Sequence, residues 1–86
     1  MTTQRPIIED GLDVNETEDG LIIYVPATDR VHHLNSTASV VLQLCDGTRT
    51  AAEIAAGVRE VFDLEVSPTD ETDDCLERLT REGLVH

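Results

Sequence analysis

His32 and His33 stand side by side, His86 closes the chain, and Cys45 and Cys75 supply two thiols. Imidazoles and thiolates are zinc ligands. Their spacing argues against a shared ion. Neighbouring strand residues point to opposite faces, so His32 and His33 are badly placed to hold one metal. No CxxC or HxxxH pair accompanies them. The expectation is two strand histidines, one inward and one outward, with no metal and no other cofactor. Cysteine with histidine is also the pairing of nucleophilic catalysis. No glycine-rich oxyanion loop or nucleophile motif goes with it here, and Cys45 falls on an apolar helix face, which makes it a structural thiol. Asp70, Glu71, Asp73 and Asp74 could be read as acid–base pairs. In a chain this acidic, a solvated helix face is the simpler reading.

Composition narrows the choice further. The 86 residues include one Phe, one Tyr and no Trp. They make one domain with an aliphatic core. A pocket of roughly 300–1,000 Å³, usual for small-molecule sites, would remove much of that core. The formal charge is −12, from eighteen acids against six basic residues, all arginine. It is spread over both halves of the chain, so phosphate backbones and anionic membrane surfaces are opposed. A basic peptide or the basic patch of a partner protein is favoured. The apolar runs are far shorter than the ~20 residues of a membrane span. The start, MTTQRPIIED, lacks the basic-then-apolar pattern of a signal peptide. A cytosolic protein with free thiols is expected.

The elements that must position these residues follow in order. Residues 1–10 are expected to form a partly ordered tail and 11–86 a single domain. Leu12 and Val14 lie in a first strand, and Asp19-Gly20 signals a hairpin. Leu21 to Val25 is β-branched and aromatic, the strongest strand signal. Pro26 ends it, and Val31 to Leu34 forms a third strand. Asn35 is a good N-cap. Ser36 to Cys45 reads as a buried helix with Ala38, Val41, Leu42 and Cys45 on one face, stopped by Asp46-Gly47. Thr50 and Glu53 form a capping box for a helix whose apolar face is Ile54, Val58, Val61 and Phe62. Its alanines and Gly57 allow close approach by a neighbour. Ser67 as N-cap and Pro68 at the first helical position open a third helix, with Leu76 and Leu79 inward. Gly83 stops it, and Leu84-Val85 adds a short extended tail. Strands first and helices after imply an α+β, winged-helix-like fold: a three-stranded antiparallel sheet followed by three helices.

Helix-turn-helix topology invites a DNA reading. A recognition helix needs Arg, Lys, Asn or Gln near its start, and this one opens Thr50-Ala51-Ala52-Glu53. An acyl carrier protein would need its attachment serine in Asp-Ser-Leu, whereas Ser36 lies in Asn-Ser-Thr and follows strands. What remains is the third strand. A meander has two edges, and Val31–Leu34 is a candidate edge without a guarding Pro or Lys, open to pairing with a peptide.

At His33-Leu34-Asn35-Ser36-Thr37-Ala38 and at Leu44 to Ile54, through Cys45-Asp46-Gly47 and Thr50-Ala51-Ala52-Glu53, the chain resembles the PqqD family. Asp73, Leu76, Leu79 and Gly83-Leu84-Val85 match the family's ending in part, with a different Asp-to-Leu spacing. The resemblance covers about residues 12–86. It implies a non-catalytic protein that binds the leader of a ribosomally made precursor peptide and presents it to a modifying enzyme. It implies that the leader adds as a strand beside the third strand and packs on the third helix. Carried onto this chain, the backbone of Val31, His32, His33 and Leu34 pairs with the leader. Asp74, Cys75, Arg78 and Leu79 line the helix side. Arg78 and Arg81 either meet leader carboxylates or form i,i+4 pairs with Asp74 and Glu77.

The resulting expectation is a peptide-binding adaptor. Its partners would be the precursor leader and an enzyme such as a radical SAM protein, a leader peptidase or a cyclase, with no nucleic acid and no membrane. An open edge also permits a homodimer. The alternative is a helix-turn-helix regulatory module that binds DNA or a protein.

Overall fold

The computed structural model describes residues 5–86. Three strands come first, β1 (Asp13–Thr17), β2 (Gly20–Val25) and β3 (Arg30–Asn35), and three helices follow, α1 (Ser36–Gln43), α2 (Ala51–Val61) and α3 (Thr69–Arg81). This is the α+β order that the sequence implies. The sheet is an antiparallel meander in the order β1-β2-β3. Thr17 pairs with Gly20 across a two-residue loop, and Leu21 pairs with Leu34 and Ile23 with His32. Gly20 is required by crowding. A Cβ there would lie 1.9 Å from the Leu34 carbonyl oxygen.

Alternation sorts the sheet into two faces. Leu21, Ile23 and Leu34 are buried on the inner face, beneath the helices. Val31 and His33 are exposed on the other, and β1 is exposed along its whole length. Val41, Leu42 and Cys45 of α1 and its exit, Ile54 and Val58 of α2, and Leu76 and Leu79 of α3 complete the core with Leu84 and Val85. Asn35 caps α1 by accepting from the Ala38 amide at 2.9 Å. Thr50 and Glu53 form the reciprocal capping box of α2. Gly47 has the left-handed φ of +83, three residues past the α1 cap, where its amide donates to the Pro6 carbonyl at 3.0 Å. Gly57 lets α1 and α2 approach, since a Cβ there would meet Leu44 Cδ1 at 2.7 Å.

Four local expectations change. Helix α1 ends at Gln43, not Cys45, because the Leu44 amide is shared between the Val40 and Val41 carbonyls and tightens the last turn. Pro68, with ψ 67, is the N-cap of α3 and Ser67 lies outside it, so the helix has no side-chain cap. Val61 and Phe62 fit the apolar period of α2 but are exposed, because they sit at its last turn and C-cap, beyond the positions that neighbours cover. Leu84 and Val85 are core residues, 0% and 2% exposed.

Part of the tail expected over 1–10 lies outside the described residues. Within them, Ile8 bridges to Val85 and Ile7 to Asp46. The Ile8 amide donates to the Cys45 carbonyl and the Glu9 amide to the Leu84 carbonyl, both at 2.9 Å. This short segment clasps the end of α1 to the C-terminal residues.

Candidate functional site

Among the described residues strand β3 pairs with β2 on one side only. Which of its backbone groups are free follows from the crowding at Gly20. The Leu34 carbonyl points toward β2 there, and backbone direction alternates along an antiparallel strand. Arg30, His32 and Leu34 therefore turn their N–H and C=O groups to β2. Val31 and His33 turn theirs outward. Among the described residues no backbone bond outside the sheet involves either one.

The outward edge faces a gap. No Cα of β3 lies within 8 Å of a Cα of α3. A strand added at the usual ~4.8 Å from β3 would enter that gap. Its alternate side chains would point to the inner side, over His32 and Leu34. A cavity of about 360 Å³ marks one end of the gap. Asn35, Thr37 and Ala38 line it on one side, and Asp74, Cys75 and Arg78 on the other. A polar relay crosses nearer the middle of β3. His32 Nδ1 lies 3.2 Å from Glu82 Oε2, and Glu82 Oε1 accepts from Arg78 Nε at 3.1 Å.

Burial pushes the Cys75 thiol up. The Arg78 guanidinium opposes that shift, and Glu82 adds to it. Cys45 is pushed up to about 12 by deeper burial, and its Sγ donates to the Val41 carbonyl at 3.2 Å. Neither is a poised nucleophile. His32 is half-buried on the inner face and His33 exposed on the outer, the divergence that strand alternation predicts. His86 pairs with Glu9, far along the chain. Among the described residues no three His, Cys, Asp or Glu side chains converge in a metal-binding cluster, and no helix is long and apolar enough to cross a membrane.

The structure thus brings Asp74, Cys75 and Arg78 to the end of β3 and ties His32 to them through Glu82. Leu34 and Leu79, 4% and 1% exposed, are core residues. Leu79 packs in the core and does not line the cavity beside α3. The side chains of Val31 and His33 point away from the helices, so toward the gap they offer only their backbone. Of the two pairings open to Arg78 on its own helix, the one with Asp74 does not form; Glu82, four residues onward, takes it. Arg81 does pair with Glu77, at 3.8 Å. Glu82, Thr37 and Ala38 escaped the sequence reading. The i,i+4 spacing of Arg78 and Glu82 was the available signal.

A larger cavity, about 470 Å³, lies on the other flank of α3 among Pro6, Ala51, Asp73, Leu76 and Thr80. It adjoins no open strand edge, so the smaller cavity is the better candidate for peptide capture.

Two solved structures have this fold. One is described as TbiB1 in complex with the TbiA(beta) leader peptide. It matches with a TM-score of 0.76 and 18% identity, over 93% of this chain and 94% of that one. The other is described as lasso peptide synthetase B1 complexed with the leader peptide, with a TM-score of 0.72 and 20% identity, over 95% of this chain and 98% of that one. At such identities the likeness is one of fold. No protein with a curated description matches the chain. Residues 20–85, from the first residue of β2 to the core valine after α3, match the sequence profile of the family described as coenzyme PQQ synthesis protein D (PqqD), and the chain belongs to that family.

Proposed function

We propose that this protein binds the leader segment of a ribosomally made precursor peptide and presents it to a modifying enzyme. One observation carries the reading: β3 leaves the outward backbone groups of Val31 and His33 unpaired in front of a gap bounded by α3. Both structural neighbours are described as leader-peptide complexes, which supports the same use of the gap here. The leader enters as a fourth strand, and main-chain bonds to Val31 and His33 supply affinity with little demand on sequence. Selectivity comes from leader side chains that enter between His32 and Leu34 below and Asp74, Cys75 and Arg78 opposite.

The chain contributes binding and no catalytic step of its own. The chemistry belongs to its partner, a radical SAM enzyme, a leader peptidase or a cyclase, in the cytosol. Amide-resolved titration with the leader encoded beside this gene tests the assignment. Shifts are expected at Val31, His33, Cys75 and Arg78. Unshifted amides at all four under saturating leader would reject the groove.

A further inference from the structure

The link between α2 and α3 exposes apolar side chains that the groove does not use. Val61 is 59% exposed and Val66 76%, and Phe62 and Leu64 between them are also exposed. Exposed apolar residues scattered singly are ordinary, but four within six residues form a patch. The segment is held in one shape. The Leu64 amide donates to the Arg59 carbonyl at 2.9 Å and the Asp63 amide to the Glu60 carbonyl at 3.4 Å. Asp63 takes the left-handed conformation, φ 53. This is a Schellman closure, in which the two residues after the cap satisfy the last helical carbonyls. Arg59 Nε adds a bond to the Glu65 carbonyl at 3.3 Å. The apolar side chains are therefore presented on a fixed turn, and a partner need not pay to order them. Val61 also borders a cavity of about 420 Å³ over Leu44 and Gly57, which extends the surface along α2.

We infer that this turn is the docking surface for the modifying enzyme, and that it takes an apolar segment of that enzyme rimmed by Lys and Arg. Charge selects the occupant. Glu60, Asp63 and Glu65 alternate with the apolar residues, and Arg59 is turned back onto the turn itself. A second copy of the chain would bring another −12 against the same acids, and anionic lipid headgroups would be repelled likewise. A cationic rim on an enzyme is attracted. The turn shares no residue with the leader groove, so leader and enzyme can be held at once.

The inference rests on the adaptor reading, and two separate titrations keep them apart. Wild type, Val66→Asp and Phe62→Ser are each titrated with the leader peptide and, in a second experiment, with the purified modifying enzyme from the same gene cluster. The expected result is unchanged leader affinity and enzyme affinity lower by roughly tenfold or more, as for loss of an apolar anchor at an interface centre. Glu65→Lys is expected to weaken the enzyme complex in the same direction. Equal enzyme affinity for wild type and variants, or no enzyme binding by wild type, overturns the docking surface and leaves leader binding standing. Absence of leader binding by wild type overturns the adaptor reading instead. Sedimentation completes the test: a wild-type dimer that Val66→Asp dissociates would assign the turn to self-association and overturn the enzyme assignment.

Discussion

His32 Nδ1, on β3, lies 3.2 Å from Glu82 Oε2, at the C-cap of α3. Among the described residues it is the one close polar side-chain contact between β3 and the end of α3. Through it the position of the open edge is linked to Arg78, and so to the cavity wall. Replacing Glu82 with Ala is expected to cost about 0.2–1 kcal/mol, the range for partly exposed pairs, read as a small drop in melting temperature. Leader affinity is expected to fall as well, because the edge and α3 lose their common anchor. A Glu82→Ala protein that binds leader as tightly as wild type would show that the relay does not shape the groove.

Proline substitution separates the edge from the core. His33→Pro removes an outward N–H that no sheet partner uses, a position where an edge strand tolerates proline. The fold is expected to survive, with its circular dichroism intact, while leader affinity drops by about tenfold, the loss of one hydrogen bond plus a ring in the path of the added strand. Leu34→Pro removes a donor that faces β2 together with a core side chain, and is expected to unfold the domain. Retained leader binding by a folded His33→Pro protein would contradict strand addition at this edge.

The two thiols give a chemical footprint. Cys45 is 1% exposed with its thiol pushed up to about 12 by burial, so at pH 8 it is expected to resist iodoacetamide until the protein unfolds. Cys75 is half-buried at the cavity wall and its thiol is also raised, so it is expected to label first but more slowly than a free thiol. Saturating leader should protect Cys75. Mass spectrometry of the labelled peptides reads both rates, and an unprotected Cys75 would place the leader elsewhere.

Acid should loosen the α1–α2 connection. Hydrogen bonds from the Thr48 hydroxyl and amide hold the Asp46 carboxyl below its ordinary range, and the Thr50 amide does the same for Glu53. A carboxyl with a folded pKa below its unfolded value stabilises the fold above the unfolded value, and the stabilisation is lost as pH falls through the folded one. Stability is therefore expected to decline on acidification below about pH 4, the ordinary carboxylate range. Asp46→Asn should flatten part of that decline in urea titrations at stepped pH. An identical slope in the variant would remove Asp46 from the account.

The scaffold was legible in the sequence where its signals are local. Asn35 and the Thr50–Glu53 box act through bonds within a few residues and appear as read. Gly47 takes the left-handed conformation expected of it, but it lies three residues past the α1 cap and its amide donates to the distant Pro6 carbonyl. The opposed directions of His32 and His33 follow from strand alternation. What escaped depends on distant neighbours. Arg78 has carboxylates four residues away on both sides, Asp74 and Glu82, and the sequence cannot rank them. His32 lies beside Glu82 in the folded chain, and Arg78 pairs there. Val61 and Phe62 keep the apolar period of α2, but periodicity does not report where the covering elements stop. Leu84 and Val85 read as a tail because their cover, Ile8 and Glu9, lies at the other end of the chain.

That clasp has a constructive use. Ile7 and His86 exchange both backbone bonds, each at 2.9 Å, so the segment from Ile7 to His86 is nearly a closed ring that meets at one seam. A short linker across the seam would let the ring be reopened between Glu18 and Asp19. The Asp19 carbonyl accepts from the Ser36 hydroxyl at 3.1 Å, which places the new opening beside the junction of β3 and α1. A permuted chain would then begin at the mouth of the groove, and host and guest strand could be encoded as one molecule.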